Sequence, residues 1–107
     1  MAPAYPLRIP DFNHKLELYV HEKGDALVSP KIREEGIWES YETTLILDHL
    51  KPGQCFVDVG ANIGYYTVIA GARVGMQGTV IAFEPEADNF ALLRQNCQHN
   101  NLLNSHL

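Results

Sequence analysis

The stretch that decides the fold is Cys55-Phe56-Val57-Asp58-Val59-Gly60-Ala61-Asn62-Ile63-Gly64. Its first five residues form a short, nearly continuous apolar run, which is typical of a strand covered on both faces of a sheet. The tight loop that follows contains Gly60 and Gly64, and the small and β-branched residues of 65–74 then predict a helix. A strand that leads through such a loop into a helix places a ligand crevice at the carboxyl end of the strand.

The residues after this stretch predict a second strand and a second helix. Gly75-Met76-Gln77-Gly78 is a turn sequence, and Thr79 to Phe83 is another apolar run of strand length. Pro85 opens a last helix, which the Asn100-Asn101 pair ends. The order strand, helix, strand, helix requires two parallel strands joined by a right-handed crossover. The predicted fold class is therefore α/β, with a doubly wound parallel sheet.

The N-terminal region predicts a β-hairpin. The first dozen residues are rich in proline and predict irregular structure. Leu16 to Val20 alternates apolar and polar residues, as a half-buried strand does. The turn sequence Lys23-Gly24-Asp25 follows, so Ala26-Leu27-Val28 is expected to return as the partner strand.

Two helices are predicted between the hairpin and Cys55. Ser29-Pro30 has the residues of a helix N-terminus, and Gly36 is expected to end that helix. A second helix is expected over Glu39 to Leu50. We divide the chain into an N-terminal segment, residues 1–37, and a unit of residues 38–107 that holds the two predicted parallel strands.

Acidic and flexible residues occupy the positions where a ligand would lie. Asn62 takes a left-handed backbone conformation more readily than most residues, so it can replace a glycine in the loop. Glu84 follows the second strand, 24 residues beyond Gly60, close to the spacing of about 20 expected for a carboxylate that binds ribose hydroxyls. Asp58, at the end of the first strand, suits a ligand with an ammonium group. Both acids are expected to face one crevice.

A nicotinamide dinucleotide is an alternative ligand for this topology. Its Gly-x-Gly-x-x-Gly loop, aligned on Gly60, needs glycines where this chain has Asn62 and Tyr65. Its pyrophosphate would also have to lie at the helix N-terminus. The two missing glycines disfavour this ligand.

In these residues the chain resembles the class I S-adenosylmethionine-dependent methyltransferases and, among them, the FkbM-type methyltransferases. The resemblance runs from about Asp25 to Leu102. Its motifs are Gly36-Ile37-Trp38-Glu39, Leu50-Lys51-Pro52-Gly53, Val57 to Thr67 and Ala82-Phe83-Glu84-Pro85, followed by Asn89, Leu93, Asn96 and Asn100. It implies a Rossmann-like sheet with S-adenosyl-L-methionine as the cofactor. It also implies that Asp58 and the backbone of Gly60, Ala61, Asn62 and Gly64 hold the amino acid moiety, and that Glu84 accepts both ribose hydroxyls.

Each candidate residue also has a purely structural interpretation. Asp58 can order the loop by accepting bonds from backbone amides, and Glu84 can serve as an acid at a helix start, where the helix dipole favours it. Tyr65 and Tyr66 can face the sulfonium of the cofactor through a cation–π contact or pack the helix against the sheet. Glu39 either reaches the cofactor pocket or caps its own helix.

The family resemblance implies methyl transfer to a hydroxyl group of a sugar, a glycan or a natural product. It covers only the first two strands of a sheet of about seven. We therefore expect an N-terminal cofactor-binding fragment, inactive alone, whose bare apolar sheet edge favours self-association. No catalytic residue is assigned, because the acceptor-binding half would lie beyond Leu107. The alternative is a non-catalytic remnant that binds a nucleoside or a protein partner.

Composition restricts the remaining function classes. With 107 residues, 46% of them apolar, and a net charge of −5, the chain is one domain at most and lacks the cationic surface that nucleic acid binding needs. No apolar run is long enough to span a membrane and no secretory leader is recognisable, so a cytoplasmic protein is expected. Cys55 and Cys97 are expected to be buried thiols, and the five histidines lack the spacing of a metal site.

Overall fold

The computed structural model describes residues 2–107, which form four helices and five strands. In chain order these are β1 (Tyr5–Pro6), β2 (Glu17–Leu18), α1 (Val28–Glu35), α2 (Ser40–His49), β3 (Cys55–Val59), α3 (Tyr65–Val74), β4 (Thr79–Phe83), α4 (Ala87–His99) and β5 (Ser105–His106). Strands β1 and β2 form a small antiparallel pair, whereas β3, β4 and β5 lie side by side in a parallel sheet. The prediction of an α/β fold with a Rossmann-like parallel sheet is confirmed.

The parallel sheet contains one strand more than we predicted. Strands β3 and β4 pair over their whole length, with Cys55 opposite Thr79 and Val59 opposite Phe83. Strand β5 pairs with the other edge of β4. It is two residues long, too short to show the alternation of side chains that identifies a strand in a sequence.

The core lies between the sheet and the helices that cover one of its faces. Val80 and Ala82 of β4 point into this core and are at most 1% exposed. Val68 and Ile69 of α3 and Leu93 of α4 are completely buried in the same region. Helix α3 thus packs directly on the strands that carry the candidate site, which fixes the position of its first turn.

The opposite face of the sheet is open in residues 2–107. Val57 and Val59 of β3 are 54% and 78% exposed, and Phe83 of β4 is 55% exposed. The expectation that β3 is covered on both faces is therefore wrong for this part of the chain. Cys55, on the same face, is an exposed thiol instead of the predicted buried one, whereas Cys97 is buried as predicted.

The N-terminal strand pairing differs from the predicted hairpin. Strand β2 lies inside the predicted strand, but its partner is β1, where irregular structure was expected. Residues 26–28 lead into α1 because the Asp25 carboxylate accepts hydrogen bonds of 2.8–3.2 Å from the N–H groups of Leu27, Val28 and Ser29. An acid at a helix N-terminus satisfies these donors and interacts favourably with the helix dipole. Asp25, and not Ser29, therefore caps the helix.

The other predicted helices form with small shifts at their starts. Gly36 ends α1 in a left-handed conformation, and α3 occupies residues 65–74 as predicted. Helix α4 starts at Ala87, two residues after Pro85, because the Glu86 side chain accepts the N–H of Asn89. Among residues 2–107, no helix has both the length and the apolar content needed to cross a membrane.

Candidate functional site

The two candidate carboxylates lie at neighbouring strand ends. Asp58 is the second-last residue of β3, and Glu84 directly follows Phe83, the last residue of β4. Because the strands are parallel and Val59 pairs with Phe83, both acids lie at the same edge of the sheet. This edge is where open α/β sheets bind their ligands. The loop of residues 60–64 lies between the two acids.

The loop is held against β4 by its own backbone. The N–H groups of Gly60 and Ala61 both donate to the carbonyl oxygen of Phe83 at 2.9 Å, and the N–H of Gly64 donates to the Ala61 carbonyl at 3.0 Å. These bonds fix the path of the loop before any ligand binds. Ala61 is 6% exposed, so its side chain belongs to the core and only its backbone borders the site.

Glu84 also binds the loop, from the same end of β4. Its Oε1 accepts the N–H of Asn62 at 2.7 Å, and its Oε2 accepts the N–H of Glu86 at 3.0 Å. Each carboxylate oxygen keeps a further lone pair, so Glu84 can still accept two hydroxyl groups. Four of the five loop N–H groups therefore donate within the chain. A pyrophosphate would need such donors free, which weighs against a dinucleotide.

Three loop residues have left-handed backbones, for different reasons. Gly60 has φ 74°, and a Cβ built on it meets no atom within 4 Å, so the space above it is open to a ligand. Asn62 has φ 56°, the conformation that its side chain tolerates. Gly64 has φ 98°, and a Cβ there would lie 2.9 Å from Cδ1 of Leu93. The close neighbour of Gly64 is therefore helix α4.

Asp58 lies in a partly buried position. Its Oδ2 accepts a hydrogen bond of 2.6 Å from the hydroxyl of Thr67, in the first turn of α3. Burial raises the pKa of Asp58 above its ordinary value; the Thr67 bond opposes this shift, and the negative charge of Glu84 adds to it. A carboxylate whose pKa is raised by burial and by a neighbouring negative charge favours a cationic ligand, because the positive charge stabilises its ionised form.

The two tyrosines have different surroundings. Tyr65 is 3% exposed, and its hydroxyl lies 2.9 Å from Oγ1 of Thr43. The structure thus places Tyr65 in the core and does not bring its ring to the site, as in the packing interpretation. Tyr66 is partly buried and donates to Oε1 of Glu39 at 2.6 Å. Burial first, and then Glu39, raise the pKa of Tyr66, so its phenol keeps its proton and remains a donor.

Of the predicted site residues, the structure brings together Asp58, Gly60, Asn62 and Glu84. The role of Thr67 was not predicted, although it belongs to the quoted motif. The feature of the sequence that could have indicated this role is the position of Thr67, nine residues after Asp58 and in the helix turn that follows the loop. Within residues 2–107 no three side chains of the His, Cys, Asp and Glu types converge as metal ligands would.

A polar cleft opens beside the loop. Its volume is about 480 Å³, and its lining includes His21, Lys23, Asp25, Asn62, Asp88 and Asn89. The cleft thus joins the loop to the N-terminal segment and to the start of α4. Its mixture of acids, amides and bases offers both hydrogen-bond donors and acceptors.

Residues 38–107 match the family model described as Vibrio cholerae RfbT protein. The chain belongs to this family. The matched region begins at Trp38 and contains the strands, the loop and both carboxylates of the candidate site. The segment before Trp38, which supplies β1, β2 and α1, lies outside the match. No curated protein matches the chain significantly.

Three solved methyltransferase structures share the fold of this RfbT family member. A "putative rRNA-methylase" from Clostridium thermocellum has a TM-score of 0.60 at 24% identity, over 63% of this chain and 37% of that one. A SAM-dependent methyltransferase from Aquifex aeolicus has a TM-score of 0.55 at 26% identity, over 62% and 35%. A protein-L-isoaspartate O-methyltransferase has a TM-score of 0.57 at 15% identity, over 98% and 27%. The chain therefore spans 37% or less of the length of each of these three structures.

Proposed function

We propose that this chain binds S-adenosyl-L-methionine at the carboxyl ends of β3 and β4 and is the cofactor-binding part of a methyltransferase, of the FkbM type. The observation that carries the proposal is the placement of Asp58 and Glu84 at the carboxyl ends of two paired parallel strands, next to a loop in which Gly60 leaves open space. The cofactor carries an ammonium group, a sulfonium group and two ribose hydroxyls. Two neighbouring carboxylates suit that set of groups.

Each residue would bind a different part of the cofactor. Asp58 would accept from the ammonium group, and the open space above Gly60 would admit the chain of the methionine moiety. Glu84 would accept the two ribose hydroxyls with the lone pairs that Asn62 and Glu86 leave unused. The fold likeness to a SAM-dependent methyltransferase supports this assignment.

Methyl transfer then follows from the chemistry of the bound cofactor. S-adenosyl-L-methionine held by these residues would supply an electrophilic methyl group to an acceptor hydroxyl, with S-adenosylhomocysteine and a proton as the other products. The contribution of this chain would be to fix the cofactor, and holding cofactor and acceptor together in line contributes about 7–11 kcal/mol in favourable cases. The base and the acceptor-orienting groups are not assigned to its residues.

The proposed acceptor is a hydroxyl group of a sugar, a glycan or a natural product. The polar cleft beside Asn62 supports this class, because Lys23, Asp88, Asn89 and His21 can all hydrogen-bond to a polyhydroxylated molecule. Nucleic acid is not proposed as a partner, since the net charge of −5 opposes binding to phosphates.

The test is a titration of S-adenosyl-L-methionine into the wild-type chain, Asp58→Ala and Glu84→Ala, followed by calorimetry. The wild type is expected to bind saturably, and each substitution should weaken binding by about tenfold or more, which corresponds to about 1.4 kcal/mol. Glu42→Ala, which removes an exposed acid from α2, is the control and should bind as the wild type does. Melting curves confirm that each variant is folded.

Three outcomes separate the candidate functions. Equal binding by the wild type and both site variants would refute the site. Binding of NADH in preference to S-adenosyl-L-methionine would favour the dinucleotide alternative. Binding without methyl transfer, when hydroxylated acceptors are added, would leave the cofactor site intact and favour the non-catalytic remnant.

A further inference from the structure

Asn96 of α4 and Asn100, the residue that follows α4, bind the backbone of the N-terminal segment in the same way. Asn96 accepts the N–H of Tyr19 at 2.7 Å and donates to the Tyr19 carbonyl at 3.0 Å. Asn100 accepts the N–H of Glu17 at 3.0 Å and donates to the Glu17 carbonyl at 2.7 Å. Four helical residues rise about 6 Å and two strand residues about 6.8 Å. The two side-chain amides therefore match alternate residues of the extended segment, as a neighbouring strand would.

Of these two asparagines, only Asn96 also contacts the ligand loop. Its Nδ2 also donates to the carbonyl oxygen of Ile63 at 2.8 Å, and its side chain is completely buried. The second donor of Asn100 is used on its own helix, at the carbonyl of Asn96. Asn96 thus joins three separated parts of the chain, namely the N-terminal segment, the loop and α4.

The bond to Ile63 contacts the loop between two residues with left-handed backbones. Ile63 lies between Asn62 and Gly64, both of which have positive φ. The Ile63 carbonyl is buried, and a buried carbonyl that loses its donor is costly. The Asn96 amide therefore stabilises the loop between its two left-handed residues.

The N-terminal segment is attached along the length of α4. His21 Nε2 lies 2.6 Å from Oδ1 of Asn89, near the start of the helix. His99 Nε2 lies 2.8 Å from a carboxylate oxygen of Glu17, near its end. The segment that precedes the family match is therefore fixed to the helix on both sides of Asn96.

We infer that Asn96 is a positioning residue for the ligand loop, through which the N-terminal segment holds residues 60–64 in their ligand-binding shape. The inference rests on the proposed function for its effect on cofactor affinity. Its structural part, the coupling of Tyr19 to the loop through Asn96, is independent of the ligand. The two parts can thus fail separately.

The test compares Asn96→Asp with Asn100→Asp. Each substitution keeps the oxygen that accepts the backbone N–H of Tyr19 or Glu17 and replaces the amide donor with a second oxygen. Each variant therefore loses the bond to the carbonyl of that residue. Without ligand, Asn96→Asp should speed hydrogen exchange at the N–H groups of Asn62 and Gly64 by about tenfold or more, as expected for local opening. Asn100→Asp should leave those rates within about twofold of the wild type, although both variants should melt at a lower temperature than the wild type. Equal effects of the two variants on the loop would overturn the inference.

Cofactor affinity is the second readout. Asn96→Asp should weaken S-adenosyl-L-methionine binding by about tenfold and Asn100→Asp by less than about twofold, in keeping with the energy of one buried hydrogen bond. If the wild type does not bind the cofactor, the proposed function fails while the exchange experiment still decides the coupling. If both variants bind like the wild type, Asn96 is a structural residue only.

A measurement on the wild type covers the case in which Asn96→Asp does not fold. In native-state hydrogen exchange at low denaturant, the N–H groups of Tyr19 and Asn62 should open together, with one free energy and one denaturant dependence. Glu17 should exchange through a separate, lower-energy opening. Independent opening of Tyr19 and Asn62 would overturn the inference.

Discussion

Thr67 donates a 2.6 Å hydrogen bond to Asp58 and thereby joins the first turn of α3 to the end of β3. The hydroxyl is completely buried, whereas the carboxylate is only partly so. Despite this bond the pKa of Asp58 is raised, because burial and the charge of Glu84 outweigh it. Burial and the charge of Glu84 thus disfavour the ionised form of Asp58, and a bound cationic group would favour it.

The pH dependence of stability should reflect the raised pKa of Asp58. A folded-state pKa above the unfolded value of 3.8 means that the folded chain binds the Asp58 proton more tightly. The stabilisation by that proton is complete below pH 3.8 and is lost as pH rises through the folded pKa. Asp58→Asn stays neutral, so it should melt at a higher temperature than the wild type at pH 7, and this difference should shrink as the pH falls toward 3.8. Melting curves that coincide at every pH would contradict this.

Loss of the Thr67 hydroxyl should affect both stability and ligand binding. Thr67→Val keeps the side-chain shape but removes the donor from Asp58, so it should destabilise the chain by about 1–2 kcal/mol in urea denaturation. It should also weaken S-adenosyl-L-methionine binding by about tenfold, because the carboxyl group is then harder to ionise.

Thr43→Val is the matched control for that experiment. Thr43 is equally buried, and its hydroxyl bonds Tyr65 and the Trp38 carbonyl, away from Asp58. It should destabilise the chain to a similar degree while leaving cofactor affinity unchanged. If the two valine variants lost affinity equally, the Thr67–Asp58 bond would have no specific role at the site.

The two loop glycines should respond differently to alanine. Gly64→Ala combines a positive φ with a clash against Leu93, so it should cost about 2–4 kcal/mol in stability. Gly60→Ala meets no neighbour and should cost only the backbone strain of about 1–2 kcal/mol. Its methyl group would enter the space proposed for the cofactor, so Gly60→Ala should lose binding while remaining folded. Denaturation and calorimetry on both variants check this, and normal binding by Gly60→Ala would be the contrary result.

The central part of the fold could be predicted because its signals are local. The apolar runs at 55–59 and 79–83 and the glycine loop between the first run and α3 specify strand, turn and helix within a few residues of chain. The left-handed conformation of Asn62 was predictable from its residue type alone. The acids at the strand ends follow from the same order of elements.

The parts that could not be predicted depend on contacts between distant residues. The residues next to Asp25 favour a turn, whereas its carboxylate caps α1. Which of the two forms depends on the packing of the helix. The pairing of β1 with β2 involves two residues on each side, too few to show a pattern. Asn96 bonds Tyr19 across 77 residues of sequence, and a buried asparagine in a helix does not reveal its partners.

The open face of the sheet should cause the chain to self-associate. Val57 and Phe83 form part of an exposed apolar surface, and surfaces of this kind favour association. Sedimentation velocity should show a weight-average mass that rises with concentration.

Val57→Lys places a charge on this face without touching the candidate site, so it should shift the chain toward the monomer. Leu27→Lys changes an apolar residue that is 70% exposed outside the sheet and should associate as the wild type does. A wild-type chain that stays monomeric at every concentration, or equal shifts by both lysine variants, would exclude this face as the contact.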